Sequence, residues 1–311
     1  MAIRASLKSY IRKLAGLHEI VFKRDELRRE LDGLKKDQRF APGHFYSPIP
    51  SLDEIRRDEQ KIYGSVDKNI PGVDLCESEQ LRLLEQFLPY YKEMPFQPQK
   101  AEGLRYYFEN PSYSYCDAIF LYCMIRFLKP RRIIEVGSGF SSCVTLDTNE
   151  LFFDGTIMTT FIDPYPELLM SLLKETDKGK IQIIPSRLQD VDLGEFRQLE
   201  ANDILFIDST HVSKINSDVN RIFFSILPIL SPGVYVHFHD ICFPFEYPKK
   251  QVYEGIAWNE AYMLRAFLQF NSSFRMVLMN TFMEIFHKPF FDDKMPACLK
   301  NGGGHIWIRK V

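Results

Sequence analysis

The chain has 311 residues, of which 45% are hydrophobic and 26% are charged, a balance typical of a globular protein rather than a disordered or fibrous one. Its formal net charge of −2 provides no general attraction to nucleic acid or to an anionic membrane, and we expect no nucleic-acid partner. The six cysteines include no CxxC pair, which predicts reduced thiols in a cytoplasmic protein. No stretch approaches the ~18 consecutive apolar residues of a spanning helix, so we expect no transmembrane segment.

The N-terminal segment, residues 1–39, contains a predicted amphipathic helix at 3–34. Apolar residues recur there in steps of four and three, at Ile3, Leu7, Tyr10, Leu14, Leu17 and Val21. Three interpretations remain open. The helix packs on its own domain or on a partner subunit, which would give a homodimer; it lies on a membrane surface; or it forms a short coiled coil.

Residues 40–109 are rich in proline around the sequence HFYSPIPSLDEI. Prolines at this density predict an extended path, which is either a linker or a lid over a substrate. Ser51, which precedes two acidic residues, is a helix-start signal. Further helices are predicted at 78–91 and 115–128.

Residues 110–311 alternate between strands and helices. Short apolar strands are predicted at 132–136, 158–163, 181–186, 203–208 and 234–240, and helices at 141–150, 166–175, 213–228 and 257–269. This alternation predicts a doubly wound α/β fold in which helices cover both faces of a parallel sheet. Two final strands, at 275–280 and 305–310, predict an antiparallel hairpin with an irregular insertion at 284–303.

The strongest motif is IIEVGSGFSS, in which Gly137 and Gly139 lie where a predicted strand turns into a helix. Such a bend brings the backbone close to a ligand at the carboxyl edge of the sheet. Glu135 precedes the bend and can accept hydrogen bonds from a cationic amine, which suits a cofactor that carries an amino acid. Ser142 stands where a dinucleotide fingerprint would have its third glycine, so that fingerprint is incomplete.

Asp163 ends the second predicted strand. A carboxylate at this place can accept hydrogen bonds from both hydroxyls of a ribose. The alternative is a turn-forming aspartate before Pro164.

From residue 110 to residue 311 the chain resembles the class I S-adenosylmethionine-dependent methyltransferases. The resemblance is carried by EVGSG at the first strand, FIDP at the second, DILFIDSTH at the fourth and LSPGVYVHFHDI around the fifth, where the commoner form has two glycines and this chain has only Gly233. It implies a seven-stranded, mostly parallel sheet of the Rossmann-like methyltransferase type, with the last strand antiparallel and here an N-terminal helical extension.

The same resemblance implies S-adenosylmethionine as the cofactor. The residues expected to bind it are Glu135, Gly137, Ser138, Gly139, Ser141 and Ser142 at the methionine end, Asp163 at the ribose, and Gln189 and Asp190 near the adenine.

The segments IDSTH and HDI resemble a subgroup that O-methylates sugars and other small molecules. Some members bind a divalent metal after the fourth and fifth strands, and the matching positions here are Asp208, His239 and Asp240. Those relatives carry a glutamate at the position of His239. Two aspartates and a histidine suit Mg²⁺ or another divalent ion, whereas the alternative is that the aspartates cap helices or bind backbone amides.

Methyl transfer needs an in-line nucleophile and often a general base. His211 and His239 are both candidate bases, and together with Asp208 they form the predicted catalytic set. His237 lies on the same face of the fifth strand as His239 but farther from the ligand edge, which predicts a hydrogen-bonded core histidine.

Candidate substrate contacts are His44 and Tyr46 in the proline-rich segment and Tyr247 after the fifth strand. Aromatic faces at these positions suit sugars and planar acceptors, and they suit ordinary packing equally. The sequence favours O-methylation of a saccharide or small natural product. Two alternatives remain open: an oxidoreductase that uses NAD or a nucleotide sugar, and a non-catalytic ligand-binding module.

Overall fold

The computed structural model describes residues 22–26, 28, 33 and 39–311, and the chain divides into two units, 1–65 and 66–311. Residues 22–26 are helical, but most of the amphipathic helix predicted at 3–34 lies outside the described residues, so its role in a homodimer stays a prediction.

Two short helices close the first unit, α1 (Leu52–Arg57) and α2 (Glu59–Tyr63). The Ser51 hydroxyl accepts a hydrogen bond from the N–H of Glu54 at 3.4 Å, which is the N-terminal cap that the sequence predicts.

The second unit begins its regular structure with α3 (Glu77–Lys92) and α4 (Tyr115–Leu128). Helix α4 has the predicted bounds and is buried on almost every side, because its sequence is apolar around the whole circumference. It ends at Lys129, which adopts a left-handed conformation with φ of 50° before Pro130.

The second unit contains a single seven-stranded sheet of order β3-β2-β1-β4-β5-β7-β6. Its strands are β1 (Arg132–Val136), β2 (Met158–Ile162), β3 (Gln182–Ile184), β4 (Ile204–Ile207), β5 (Tyr235–His239), β6 (Phe274–Met279) and β7 (His305–Lys310). All pairs among β1 to β5 are parallel, and β7 lies antiparallel between β5 and β6. The predicted mostly parallel sheet with its last strand antiparallel is therefore confirmed.

The remaining helices connect these strands. They are α5 (Phe140–Phe153), α6 (Glu167–Leu172), α7 (Gly194–Arg197), α8 (Asp218–Arg221), α9 (Lys249–Tyr253), α10 (Glu260–Leu268), α11 (Asn280–Phe286) and α12 (Lys288–Lys294). Short 3₁₀ segments occupy Glu175–Asp177, Leu188–Asp190, Leu227–Ile229 and Pro296–Lys300, and α8 continues as a π-helical turn at Ile222–Ile226.

Two sequence predictions about these connections are wrong. The helix predicted at 213–228 begins only at Asp218, because the Ser217 hydroxyl caps it by accepting the N–H of Asn220 at 3.1 Å. The insertion predicted as irregular at 284–303 contains the end of α11, all of α12 and a 3₁₀ segment. Pro289 lies in the first turn of α12, where proline starts a helix rather than breaking it.

The position of β1 determines where a ligand can bind. Strand β1 pairs with β2 on one side and β4 on the other, and Val136 lies opposite both Ile162 and Ile207. The carboxyl ends of the three strands therefore lie side by side, and the connections diverge in opposite directions from β1. A crevice at this switch point is the usual ligand position in open α/β sheets.

Among the described residues, no helix combines the length and the apolar character needed to cross a membrane.

Candidate active site

The turn after β1 requires glycine at residue 137. Gly137 has a φ of +82°, and a Cβ atom there would lie 1.8 Å from the carbonyl oxygen of Asp208. Its N–H donates to the carbonyl of Ile162 at 3.0 Å, while the N–H of Asp208 donates to that of Val136 at 2.9 Å. The bend is thus held tightly between the ends of β2 and β4.

Glu135 is fully buried beneath this bend, and its two carboxylate oxygens differ in their hydrogen bonds. Oε1 accepts hydrogen bonds from the hydroxyls of Ser141 at 2.6 Å and Ser142 at 2.8 Å, both in the first turn of α5. Oε2 has no partner in the part of the chain that the structure describes. Burial raises the pKa of Glu135 to about 8, with the serine hydrogen bonds opposing the shift and the negative charges of Asp208 and Asp163 adding to it. A cationic amine at Oε2 would satisfy the free oxygen and favour the ionised form.

Asp163 lies against the same bend. Its Oδ2 accepts hydrogen bonds from both the N–H of Ser138 at 3.0 Å and the Ser138 hydroxyl at 2.8 Å. Its Oδ1 accepts the N–H of Tyr165 at 2.8 Å, which is the turn-forming contact weighed as the alternative to ribose binding. The structure therefore brings Glu135, the glycine bend and Asp163 together at one edge of the sheet, and ribose binding stays a prediction.

Gln189 and Asp190 lie in the 3₁₀ segment after β3. The Gln189 amide donates to the carbonyl of Asn216 at 2.7 Å, and Asp190 accepts from Arg187 at 2.8 Å. These contacts are with loop residues rather than with the bend, and a role for either residue at the adenine stays a prediction.

Beside the bend, the loops after β4 and β5 bring together a cluster of possible metal ligands formed by Asp208, His211 and Asp240. One ligand atom from each lies within 4.8 Å of the others. The Nε2 atom of His211 is 3.4 Å from Asp208 Oδ1 and 3.7 Å from Asp240 Oδ2. This cluster includes both predicted aspartates, but its histidine is His211, and a ligand role for His239 stays a prediction.

The backbone at this cluster is strained. His211 and Asp240 have φ of 58° and 54°, in the left-handed region that residues with a Cβ rarely adopt. Strain of this kind persists only where surrounding contacts enforce it, and it occurs preferentially at functional sites.

The His211 ring contacts a third carboxylate, which no motif in the sequence indicates. Its Nδ1 is 2.9 Å from Oε2 of Glu260, the first residue of α10, and its ring centroid is 4.4 Å from that of Trp258. Burial alone would lower the pKa of His211, but hydrogen bonds to Asp208 and Glu260 outweigh it and raise the pKa to about 10. A pKa of about 10 makes His211 an imidazolium at neutral pH, so it needs to lose a proton before it can act as a base.

The two histidines of β5 have different surroundings. His239 is buried with its ring 5.3 Å from that of Tyr113, and its Nδ1 is unpaired within the described ranges. Burial lowers the pKa of His239, but Asp208 and other nearby carboxylates raise it by more, so the net shift is upward. His237 is a core residue as predicted, stacked on Phe206 at 4.1 Å.

The prediction that His237 is hydrogen-bonded is wrong for the described chain, where neither ring nitrogen has a partner. Because burial lowers the pKa of His237 well below its usual value, the ring stays neutral and behaves as an aromatic core residue.

The candidate substrate residues lie in different units. Tyr247 is buried, and its hydroxyl accepts the N–H of Ala261 at 3.0 Å, so it supports the start of α10. His44 and Tyr46 are exposed in the first unit, where the Nδ1 of His44 accepts the N–H of Tyr46 at 3.1 Å. Substrate roles for all three stay predictions.

The chain is similar in sequence or in fold to several known proteins. Residues 134–241 match the family model described as a methyltransferase domain. An uncharacterized protein of Archaeoglobus fulgidus is 36% identical over 190 residues, which cover 60% of this chain and 82% of that protein. The SAH-bound methyltransferase PaMTH1 of Podospora anserina has a TM-score of 0.43 and 15% identity, covering 84% of this chain and 95% of its own. The O-methyltransferase TomG of Streptomyces achromogenes, in complex with SAM, has a TM-score of 0.43 and 14% identity, covering 83% of this chain and 96% of its own.

Proposed function

We propose that this chain is a class I methyltransferase that transfers a methyl group from S-adenosylmethionine to an oxygen atom of a saccharide or small natural product. The chain belongs to the same family as its archaeal relative, which it matches at 36% identity over 82% of that protein. The observation that carries the proposal is the free Oε2 of Glu135, a buried carboxylate oxygen without a partner among the described residues, directly beneath the glycine bend. A buried oxygen of this kind is costly unless a hydrogen-bond partner satisfies it, and a cationic amine is such a partner.

The surroundings of Glu135 suit an amino acid joined to a nucleoside. The ammonium group of S-adenosylmethionine would bind Oε2, and the backbone of the bend at Gly137 and Gly139 would lie against its methionine part. Asp163, which the bend already contacts through Ser138, would accept hydrogen bonds from the ribose. Ser142 supports this choice over a dinucleotide, because it stands in place of the third glycine of a dinucleotide fingerprint. Its hydroxyl donates to Glu135 and accepts the N–H of Gly139 at 3.0 Å.

The acceptor oxygen would attack the methyl carbon in line with the breaking carbon–sulfur bond, which leaves S-adenosylhomocysteine and one proton to be removed. His211 and His239 are the candidate proton acceptors. Asp208, His211 and Asp240 also fit a divalent ion such as Mg²⁺, because carboxylate oxygens and an imidazole converge there. When bound, such an ion would orient the acceptor oxygen and stabilise its negative charge.

Calorimetric titration with S-adenosylhomocysteine and with NAD tests the cofactor. We expect the first to bind, and we expect Glu135→Gln to weaken that binding because an amide cannot form an ion pair with the ammonium group. Binding of NAD alone would favour the oxidoreductase alternative.

A methyl-transfer assay against a panel of sugars and small metabolites tests the reaction, with Mg²⁺ and separately with a chelator. We expect methylation of at least one hydroxyl compound. Cofactor binding without turnover on any acceptor would favour a ligand-binding module. Equal rates with Mg²⁺ and with the chelator would remove the metal from the proposal.

A further inference from the structure

Glu260 is a buried carboxylate for which the proposed reaction has so far given no role. It begins α10, and its side chain is 0% exposed. Its Oε2 lies 2.9 Å from Nδ1 of His211, whereas its Oε1 has no partner within the residues that the structure describes. A buried carboxylate that makes a single charged contact is unlike the exposed acidic residues that usually occupy the first turn of a helix.

The segment that precedes and starts α10 surrounds the loop of His211. The N–H groups of Asn259 and Glu260 both donate to the carbonyl oxygen of His211 at 3.1 Å. The Asn259 amide accepts the N–H of Ser213 at 2.6 Å and donates to its carbonyl at 3.2 Å. Residues 258–260 therefore hold both the backbone and the ring of His211, which explains how this residue keeps its left-handed conformation.

We propose that Glu260 is a positioning residue for the methyl transfer: its carboxylate holds the Nδ1–H of His211 and thereby directs Nε2 toward Asp208 and Asp240. The inference rests on the proposed function, because it gives Glu260 a role in the same site. It holds whether Nε2 accepts a proton from the acceptor or binds a metal ion.

The chemistry of the pair supports this role. A hydrogen bond between a histidine and a carboxylate is charge-assisted, and in a buried place it restricts the ring to one orientation. Because the Glu260 carboxylate keeps the proton on Nδ1, Nε2 is the nitrogen that can lose its proton. Its lone pair would then face Asp208 and Asp240. Carboxylates placed behind ligand histidines perform this function in metal sites, where their removal costs about 10–100-fold in affinity or activity.

The contact itself can be tested by NMR of the ¹⁵N-labelled wild-type protein without any variant. We expect His211 to give a downfield Nδ1–H resonance that exchanges slowly with water. Its loss in His211→Asn assigns it and distinguishes it from a resonance of His305, whose Nδ1 lies 2.8 Å from Oδ1 of Asp117. In Glu260→Gln the resonance should move upfield, because an amide oxygen is a weaker acceptor than a carboxylate. Two results would overturn the inference: a wild-type spectrum with no downfield resonance that His211→Asn removes, or such a resonance that does not move in Glu260→Gln.

The effect on turnover is tested with the same variant. We expect Glu260→Gln to lower kcat by about 10–100-fold while the affinity for S-adenosylhomocysteine changes less than about twofold, because the cofactor residues lie at Glu135 and Asp163. The control is Glu77→Gln, which alters a second glutamate–histidine pair, Glu77 with His287 at 2.6 Å, and should leave kcat unchanged.

The outcomes separate this inference from the proposed function. If the wild type does not bind S-adenosylhomocysteine, the proposed function fails. If the wild type binds it and methylates an acceptor, but folded Glu260→Gln has the wild-type kcat, only the role of Glu260 fails.

Discussion

Glu135 has one carboxylate oxygen bound and one free, so its protonation should depend on the ligand. Its pKa is raised to about 8, mainly by burial, so the free protein carries a proton there at pH 7. An ammonium group at Oε2 would lower that pKa and release the proton. We expect S-adenosylhomocysteine binding to release about 0.5–1 proton at pH 7 and less at pH 9, where the carboxylate is already ionised.

The release can be measured by calorimetry in two buffers whose ionisation enthalpies differ. The apparent binding enthalpy should then depend on the buffer at pH 7, and Glu135→Gln should remove most of that dependence. Equal enthalpies in both buffers for the wild type would mean that Glu135 does not exchange a proton with the bound ligand.

Asp163 contacts the turn at Tyr165 and the bend at Ser138. A structural effect of losing these contacts can be distinguished from the loss of a ribose contact. We expect Asp163→Ala to weaken S-adenosylhomocysteine binding by about 1–3 kcal/mol, the range for leaving buried polar partners unpaired. Asp192 is the matched control, because its carboxylate makes a similar turn by accepting the N–H of Gly194 at 2.6 Å. If Asp192→Ala weakened binding equally, the effect of Asp163→Ala would reflect lost turn structure rather than a lost ribose contact.

At the scale of residues, the sequence predicted side chains near one short motif better than those brought in from a distance. Glu135 and Gly137 belong to a continuous stretch whose spacing follows the strand and bend. Glu260 could not be predicted in this way, because an acidic residue at a helix start normally serves the helix itself. Its contact with His211 spans 49 residues along the chain, and nothing in the local pattern indicates it.

At the scale of elements, the bounds of β1, α4 and β7 agree with the sequence because each is a strong apolar segment with clear ends. The connections were predicted less well. The start of α8 depends on a serine cap, and the two helices between β6 and β7 depend on proline in a permitted first-turn position. Both are decided by single residues that do not change the overall hydrophobic pattern.

The turn between β1 and α5 gives a prediction of its own. Gly137→Ala should abolish cofactor binding and destabilise the fold by more than about 2 kcal/mol, because it adds a backbone clash to the cost of a positive φ. Gly155→Ala is the control: its φ is +70°, but no atom lies within 4 Å of the added Cβ.

Urea unfolding and calorimetry would compare the two glycine variants. We expect Gly155→Ala to lose about 1 kcal/mol at most and to bind S-adenosylhomocysteine normally. Equal destabilisation in both variants would show that positive φ alone, rather than the approach to Asp208, restricts residue 137.

At the scale of the whole molecule, a parallel sheet covered by helices follows from the alternation of strands and helices, but the attachment of residues before the sheet does not. The Arg105 side chain, 2% exposed, donates to Asp147 on α5 at 2.6 Å, to Asp177 after α6, and to Glu150 at 2.8 Å. These partners are 42, 72 and 45 residues away in the chain. No periodicity indicates such contacts, because each depends on which loops the finished sheet brings together.

Arg105 should accordingly matter more to stability than its single charge suggests. Removing it would leave the carboxylates of Asp147 and Asp177 buried without their cation, and breaking a buried pair in this way typically costs about 3–5 kcal/mol. We expect Arg105→Met to lower the free energy of unfolding by that amount, measured by urea denaturation. The exposed pair Arg131–Glu200, with a 3.6 Å separation, supplies the control, and Arg131→Met should change stability by less than about 0.5 kcal/mol. Equal losses in the two variants would mean that burial adds nothing to the Arg105 cluster, and that residues before the sheet are held by apolar packing alone.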